Sequence, residues 1–350
     1  MTQVASTVRG TVLRSRGGRL SFLVDMRALV VCVALAAAAL AVGLVGIATG
    51  DFPVSVPDVF RTLVGEGTKA TDFIVLTLRL PRVLTALLVG AALGVGGAVF
   101  QSLSRNPLGS PDIVGFTTGA ASGAVVALLV FHAGALVVSG AAIGAGMLTA
   151  LLVYVLAFRR GVQGYRLVLI GIGISAVLSS VNSYLITRAD VTDAQGAAIW
   201  LIGSLNGRGW EHVRPVAAAL ILLLPVVFLL GPRLRLLEMG DDAAKALGVS
   251  AERSRLALVV AAVAVTAVAT ASAGPVGFVA LAAPQLARRL TRQPGVGLVT
   301  SALMGAFLLV TSDLAAQRLF APTQLPVGVM TGAVGGVYLA WLLAREWRRS

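Results

Sequence analysis

Few side chains in this 350-residue sequence are of the types that carry out chemistry. Cys32 is the single cysteine, and His132 and His212 lie far apart in the chain, so a Cys/His metal cluster is not expected. The two lysines, Lys69 and Lys245, stand outside any phosphate-binding loop of the G-x-x-x-x-G-K-[ST] type. No Ser/His/Asp arrangement or pair of carboxylates suits catalysis. We therefore predict a chain that is not an enzyme and that binds no cofactor or metal.

One polar segment between two long apolar runs has the composition of a docking element. Asp241 is suited to cap a short helix, and Gly248 is suited to end it in a left-handed conformation. A short helix is not stable alone in water, so it should pack against another surface. The segment is either an ordinary loop or a docking site for a cytosolic motor protein, with Ala244 on the docking face. On the second interpretation the interacting residues are Glu238, Met239, Gly240, Asp241, Asp242, Ala243, Ala244, Leu247 and Gly248.

The composition is that of a membrane protein. Hydrophobic residues make up 57% of the chain and charged residues 12%, whereas an average soluble domain has about 25% charged residues. The net charge of +13 would suggest nucleic-acid binding in a soluble protein. Here the arginines stand between apolar runs, where basic residues set the orientation in the membrane. We therefore expect lipid, and no nucleic acid, around this chain.

The apolar runs predict ten transmembrane helices, because a helix needs about 20 apolar residues to cross the bilayer core. The uncharged stretches are 28–50, 83–104, 113–158, 167–187, 194–207, 215–232, 256–287, 293–312 and 319–344. The stretch 113–158 is long enough for two helices with a turn near His132, and 194–207 is too short to span. Gly274-Pro275 divides 256–287 into two helices, since proline interrupts helical hydrogen bonding.

The distribution of basic residues selects ten spans over nine. With ten spans, 20 of the 28 basic residues face the cytoplasm and 8 face outside, whereas nine spans give 15 and 13. The positive-inside rule favours the first arrangement, which places both termini in the cytoplasm. The predicted organisation is a basic cytoplasmic segment at 1–27 and an all-α ten-helix domain at 28–346, with a cytoplasmic loop at 233–255. A cleaved signal peptide is the alternative for the N-terminus, although the apolar run of 23 residues exceeds a usual signal core.

The uncharged stretches contain no group that could relay a driving ion. Ion-coupled transporters usually place ionisable side chains inside the bilayer, whereas Asp313 lies between two stretches. We expect the energy for any transport to come from another chain. A secondary transporter or channel is the rival interpretation, and dependence on ATP separates the two.

Seven spaced motifs between about residues 70 and 345 form a recognisable pattern. They are Arg79-Leu-Pro-Arg82, Gly90-Ala-Ala-Leu-Gly94, Gln101-Ser-Leu-Ser-Arg-Asn-Pro-Leu-Gly-Ser-Pro111, Gly115-Phe-Thr-Thr-Gly-Ala120, the Glu238–Gly248 loop, Gly274-Pro-Val-Gly-Phe278 and Leu325-Pro-Val-Gly-Val329. Together they resemble the FecCD permeases, the membrane subunits of bacterial ABC importers for iron-siderophores, haem and cobalamin. Asn106–Asp112 and Leu236–Asp242 most resemble the ferric-enterobactin subgroup of that family.

The resemblance implies a type II ABC importer permease, with the ten-helix architecture of the cobalamin importers. It implies that Glu238–Gly248 holds the coupling helix, which inserts into a cleft of a separate ATPase. Arg79 and Arg82 match arginines that dock an extracytoplasmic binding protein; the alternative is that they only anchor a helix end. A further docking arginine of the family falls at Gln317, which leaves the neighbouring Arg318 as a candidate. The family's Pro-His-Ile-Ala-Arg is replaced by Pro284-Gln-Leu-Ala-Arg288, so a role of that histidine does not carry over.

The expected function is import of a ferric siderophore across the bacterial plasma membrane. The partners implied are a second permease subunit, two copies of a cytosolic ATPase that hold ATP and Mg, and a siderophore-binding protein. The second permease is expected to differ from this chain, with a homodimer as the alternative. Haem or cobalamin is the alternative substrate. Pairs of glycines four residues apart, such as Gly90/Gly94 and Gly332/Gly336, predict close helix packing, either inside the chain or along a path between two subunits.

Overall fold

A computed structural model describes residues 11–14, 21–157, 164–293, 295 and 297–347. Strands β1 (Thr11–Arg14) and β2 (Ser21–Val24) form an antiparallel pair, with Thr11 opposite Val24. This pair lies in the N-terminal segment 1–27, where no strand was predicted. Both strands contain β-branched or apolar residues, which favour extended structure, although the segment as a whole lacks hydrophobic periodicity.

All other regular structure in the described residues is helical. The helices are α1 (Met26–Ala48), α2 (Val56–Leu63), α3 (Lys69–Asp72), α4 (Leu80–Ser104), α5 (Phe116–Leu129), α6 (Ala135–Ala157), α7 (Gly164–Arg188), α8 (Val191–Ile202), α9 (Trp210–Glu238), α10 (Asp241–Ala246), α11 (Ala251–Ala273), α12 (Val279–Thr291), α13 (Leu298–Arg318) and α14 (Val327–Trp347). A π-helical segment, Phe73–Arg79, joins α3 to α4 without a break.

Seven helical segments in the described part of the chain are long and apolar enough to cross a membrane: α1, the continuous Lys69–Ser104, α6, Tyr165–Arg188 of α7, α9, α11 and α13. Helices α5 and α12 have 14 and 13 residues. Both coincide with predicted spans but are shorter than the roughly 20 residues that a bilayer core requires. Helix α14 has 21 residues and also coincides with a predicted span; Val327–Tyr338 is the apolar part of it among the described residues. Seven spans are therefore supported by length, against the ten predicted.

The predicted interruptions of the long apolar stretches are present. Helix α5 ends at Leu129 and α6 begins at Ala135, with His132 in a left-handed conformation between them. Helix α11 ends at Ala273, and Gly274 follows with φ of 74°. The stretch 194–207 contributes to α8, whose 12 residues are too few to span, as predicted.

Helices α4 and α11 form the centre of the core, with α13, α12 and α9 packed against α4. The crossing of α4 and α13 is close because Gly90 and Gly94 face Gly305 and Ser301. A Cβ atom on Gly94 would overlap the carbonyl group of Ser301, so these glycines let the two backbones touch. This crossing fixes α4, which connects the two candidate sites described below.

Candidate functional site

Four arginines line a cleft of about 490 Å³ at the N-terminal end of α4, and we call it the arginine cleft. Its walls come from the α1–α2 connection, the π-helical segment, the loop before α9 and the end of α13. Two acidic residues, Asp51 and Glu211, also line it. The arginines are Arg79, Arg82, Arg208 and Arg318. The cleft therefore unites all three arginines selected from the sequence, and it adds Arg208.

The guanidinium group of Arg82 is committed to a contact inside the chain. Its Nη2 and Nε atoms donate to the two carboxylate oxygens of Asp313 at 2.8 and 2.9 Å, and Nη1 donates to Gln324 at 3.2 Å. The side chains of Arg82 and Asp313 are 13% and 3% exposed. Gln317 donates to the same carboxylate at 2.8 Å. A bidentate, buried ion pair of this kind joins α4 to α13.

Arg79 stabilises the end of α1. Its two terminal nitrogens donate to the backbone carbonyl groups of Ile47 and Phe52, each at 2.7 Å. The guanidinium group lies against Gly50, where any Cβ atom would overlap it. The helix-anchor interpretation of Arg79 is therefore supported by two hydrogen bonds, although its charge still lines the arginine cleft.

Arg318 and Arg208 bind neighbouring acidic groups less directly than Arg82 does. The buried Nε atom of Arg318 has no hydrogen-bond partner among the described residues. Arg208 donates from Nε to the Ser204 carbonyl at 3.3 Å and from Nη1 to His212 at 2.8 Å. Burial lowers the pKa of Arg208 and the nearby Glu211 carboxylate opposes that effect.

Arg208 was missed in the sequence because it lies outside the family motifs. The signal that could have found it is local: Gly207 and Gly209 flank an arginine a few residues before a predicted span. Its position opposite Arg79 depends on the packing of α9 beside the π-helical segment, where Trp210 donates to the carbonyl of Leu76 at 2.8 Å. Such a contact, across more than 100 residues of sequence, has no local signature.

The segment 238–248 contains the short helix that the sequence predicted. Helix α10 ends at Ala246, and Gly248, just after the cap residue Leu247, has φ of 79°. The backbone N–H groups of Gly248 and Val249 donate to the carbonyls of Lys245 and Ala244 at 2.9 Å each. This pair of bonds is a Schellman motif, in which glycine is favoured because it adopts positive φ at little cost.

Two expectations about α10 are wrong. Asp241 does not cap the helix: the N-cap is Gly240, and no side-chain cap bond forms, because the Asp241 carboxylate binds two arginines instead. Ala244 does not lie on the docking face, since it is 0% exposed and packs into the core cluster of the chain. A six-residue helix must bury one side to be stable, and Ala244 is on that side.

The opposite side of the 238–248 segment is accessible. Met239 and Leu247 are 70% and 61% exposed, and Asp242, Lys245 and Gly248 are also exposed. Two apolar side chains flanked by charges form a small surface suited to a partner protein. Glu238 points away from this surface and accepts a hydrogen bond from Ser102 of α4. Gly240, Asp241 and Ala243 are half-buried.

Helix α4 joins the two candidate sites. Arg82 lies in its first turn, and Arg105, its C-terminal cap residue, donates to Leu237 and Asp241 beside α10. The 25 residues of α4 extend about 37 Å at 1.5 Å per residue. The arginine cleft and the 238–248 segment therefore lie at opposite ends of one buried helix, a geometry suited to communication across a membrane.

Pro284-Gln-Leu-Ala-Arg288, which replaces the family's Pro-His-Ile-Ala-Arg, holds the end of α4 and the loop that follows it. Gln285 donates to the carbonyl of Pro107 at 2.7 Å and accepts from Tyr338 at 3.3 Å. Gln101 donates to the Leu281 carbonyl at 2.8 Å and accepts from Arg288 at 3.3 Å. Glutamine therefore performs a structural role here through a donor and an acceptor. Within the described residues, no group of three His, Cys, Asp or Glu side chains could hold a metal ion.

The fold and the two sites define an integral membrane protein of helical bundle architecture. The chain belongs to the FecCD transport family, whose family model matches residues 28–345. It is thus of the permease class rather than an enzyme, as predicted.

Comparison with individual proteins shows which transporters this chain is similar to. The chain is 48% identical, over 326 residues, to the ferric enterobactin transport system permease protein FepG of Escherichia coli K12, covering 93% of this chain and 99% of the relative. It is 36% identical, over 296 residues, to the hemin transport system permease protein HmuU of Yersinia pestis, with 82% and 88% covered. A solved structure assigned to the metal-chelate type of ABC transporter, in an inward-facing conformation, has a TM-score of 0.81 at 27% identity, covering 91% of this chain and 99% of that one.

Proposed function

We propose that this chain is the permease subunit of an ABC importer that moves a ferric siderophore across the bacterial plasma membrane. The observation that carries the proposal is the 48% identity to FepG, a ferric enterobactin permease, over 93% of the chain. The similarity extends over both the arginine cleft and the 238–248 segment, so it applies to nearly the whole chain rather than to one motif.

In this proposal the chain crosses the membrane ten times, with both termini in the cytoplasm. Ten of the described helices coincide with the ten predicted spans: α1, α4, α5, α6, α7, α9, α11, α12, α13 and α14. The asymmetry of 20 basic residues against 8 supports this orientation. The TM-score of 0.81 to a metal-chelate ABC transporter supports the type II importer architecture.

The motor is a pair of cytosolic ATPases that hold ATP and Mg, while this chain holds no cofactor. The ATPase contacts the 238–248 segment through its exposed side, chiefly Met239, Asp242, Leu247 and Gly248. Burial of Met239 and Leu247 against the partner would supply apolar contact area. Glu238, Gly240, Asp241, Ala243 and Ala244 support this surface from behind.

An extracytoplasmic siderophore-binding protein docks over the arginine cleft. Arg79, Arg318 and Arg208 present positive charge there, which suits acidic residues on a partner and accelerates association. Arg82 belongs to the same docking site, but its ion pair with Asp313 makes it a support for the cleft more than a free contact. Arg208 compensates for the glutamine at position 317.

A second permease subunit completes the path, in a heterodimer, with a homodimer as the alternative. The glycine pairs of the sequence divide into those that pack inside the chain and those that face outward, and the second group supports a partner helix. Gly90 and Gly94 pack against α13, whereas a Cβ on Gly140 or Gly144 of α6, or on Gly332 or Gly336 of α14, would meet no atom of the described chain within 4 Å. These open small-residue faces are suited to packing against lipid or another helix.

Reconstitution tests the proposed function. The permease, its permease partner and the ATPase are placed in proteoliposomes, and radioactive ferric enterobactin is supplied with the binding protein. We expect uptake only with hydrolysable ATP. Hemin, the substrate named for the 36% identical relative, is the comparison substrate. Uptake driven by an ion gradient without ATP would contradict the ABC assignment, and uptake of hemin in preference to ferric enterobactin would contradict the substrate.

A further inference from the structure

A three-residue ion cluster connects the first residue of α10 to neighbouring helices. Oδ1 of Asp241 accepts from Nη2 of Arg255 at 2.7 Å and from Nη2 of Arg105 at 3.2 Å. Arg255 is held further by Glu252, which accepts from Nη1 at 2.9 Å. One carboxylate of α10 is thereby bound to the end of α4 and to the first turns of α11. We call Arg105, Asp241 and Arg255 the Asp241 clamp.

The clamp reaches the ends of four helices. Arg105 uses the same Nη2 atom to donate to the carbonyl of Leu237, near the C-terminus of α9, at 2.9 Å. The side chain of Arg255 is 8% exposed, so its charge is compensated mainly by Asp241 and Glu252. Asp241 and Arg105 are 38% and 51% exposed, so loss of Asp241 would leave mainly the buried guanidinium of Arg255 short of a counter-ion, which is costly.

Helix α10 has few other attachments. It has six residues, its cap at Gly240 makes no side-chain hydrogen bond, and Ala244 is the residue of this helix that is fully buried. The buried methyl group of Ala244 cannot by itself fix the orientation of α10 when a partner protein displaces this helix. The Asp241 clamp supplies a polar attachment to α4 and α11, the two most buried spans of the described core.

We propose that Asp241 is a positioning residue that transmits movement of α10 to α4 and α11 through Arg105 and Arg255, an inference that rests on the proposed function. Asp241 faces its own chain, and the ATPase contacts Met239 and Leu247 on the other side. Because Arg82 and the arginine cleft lie at the far end of α4, displacement of Arg105 is passed along that helix. Burial raises the pKa of the Asp241 carboxyl, but the hydrogen bond from Arg255 and the charges of Arg255, Arg105 and Lys245 outweigh this and lower it. The clamp is therefore ionised at neutral pH.

The test measures the number of ATP molecules hydrolysed per ferric enterobactin transported, in proteoliposomes that contain the full importer. Asp241→Asn removes the charge at the same size. We expect normal co-purification of the ATPase, ATP hydrolysis within twofold of the unmodified protein and transport per ATP lowered at least fivefold. Arg105→Gln removes only the connection to α4, so it should also lower transport per ATP, but by less than Asp241→Asn. Asp241→Asn with Arg105→Gln should be little worse than Asp241→Asn alone, because Asp241→Asn already removes the ion pair with Arg105. Asp241→Glu should restore part of the transport.

Asp242→Asn is the matched comparison, since Asp242 is the adjacent carboxylate on the exposed side of α10. It should weaken ATPase association without changing transport per ATP. Unchanged transport per ATP in both Asp241→Asn and Arg105→Gln would overturn the clamp while leaving the proposed function intact. Loss of ATPase association in Asp241→Asn would also overturn it, since Asp241 would then be a contact residue. If Asp241→Asn fails to assemble in the membrane, the transport per ATP measured for Arg105→Gln tests the proposal instead. A failed proposed function appears separately, as absent ATP-driven uptake by the unmodified importer.

Discussion

The four arginines of the arginine cleft differ in the groups that bind each guanidinium, and the buried Nε of Arg318 has no partner among the described residues. Arg82 is matched by the buried carboxylate of Asp313, and Arg79 binds two carbonyl groups. Arg208 binds a carbonyl and a histidine. Residue type alone therefore does not separate a docking residue from a structural one. The sequence could nominate Arg79 and Arg82, but Asp313 lies 231 positions from Arg82, and that pairing is set by the crossing of α4 and α13.

The Arg82–Asp313 pair should contribute strongly to stability. Asp313→Asn leaves a buried guanidinium group without its counter-ion, which costs about 3–5 kcal/mol. We expect a clearly lowered unfolding temperature of the detergent-solubilised permease. The comparison is Arg61→Gln, which removes an exposed pair with Asp58 that is worth about 0–1 kcal/mol. Equal, small shifts for the two variants would show that the buried pair is not a structural connection.

Arg208 should affect docking, and loss of its two part-buried hydrogen bonds to Ser204 and His212 should lower stability only modestly. Arg208→Gln is expected to lower the association rate of the loaded binding protein by roughly two- to fivefold, which corresponds to one exposed ion pair of up to about 1 kcal/mol. The effect should shrink as salt is raised, because screening weakens charge steering. Stopped-flow or surface binding measurements give the rate. Arg208→Lys should restore most of it, and Arg214→Gln, on the exposed side of α9, serves as the control. An unchanged rate in low salt would remove Arg208 from the docking site.

At the scale of elements, the positions of helix ends could be predicted from the sequence, whereas the side that a helix turns towards the core could not. The end of α11 follows from Gly274-Pro275, whose backbone preferences act locally, and Gly248 has the positive φ expected of a helix stop. The break between α5 and α6 follows from the length of the stretch 113–158, which exceeds one span. The burial of Ala244 was not predicted, because the side that α10 turns inward depends on Arg105 and Arg255, which come from other helices. The strand pair β1–β2 was not predicted, because four-residue strands in a segment rich in arginine give no clear alternation of apolar and polar residues.

The α4–α13 crossing should not tolerate a larger residue. Gly94→Ala places a methyl group where the Ser301 carbonyl lies, so the helices must separate, at a cost of about 1–3 kcal/mol. We expect lower membrane abundance and a lower unfolding temperature. Gly144→Ala is the matched control, since its Cβ would meet nothing within 4 Å, and alanine favours helix by roughly 1 kcal/mol over glycine. Equal behaviour of the two variants would contradict the close crossing.

At the scale of the whole molecule, α4 connects the two candidate sites. One end carries the arginine cleft, and the other end is bound to α10 by the Asp241 clamp. The overall class was readable from composition, since 12% charged residues cannot solvate a chain of this length. The connection between the ends was not readable, because it consists of long-range ion pairs and helix crossings that no local pattern encodes.

The measurement that tests the central claim most directly compares Leu247→Arg with Ala244→Arg. Leu247 is exposed and Ala244 is buried, so the first change alters only the surface proposed to contact the ATPase, while the second also disrupts packing. For Leu247→Arg the account predicts normal membrane abundance and unfolding temperature, weak ATPase co-purification and lost ferric enterobactin uptake. Ala244→Arg should in addition lower the unfolding temperature. Normal ATPase co-purification and normal uptake by Leu247→Arg, at normal abundance, would contradict the claim that the 238–248 segment couples this permease to its motor.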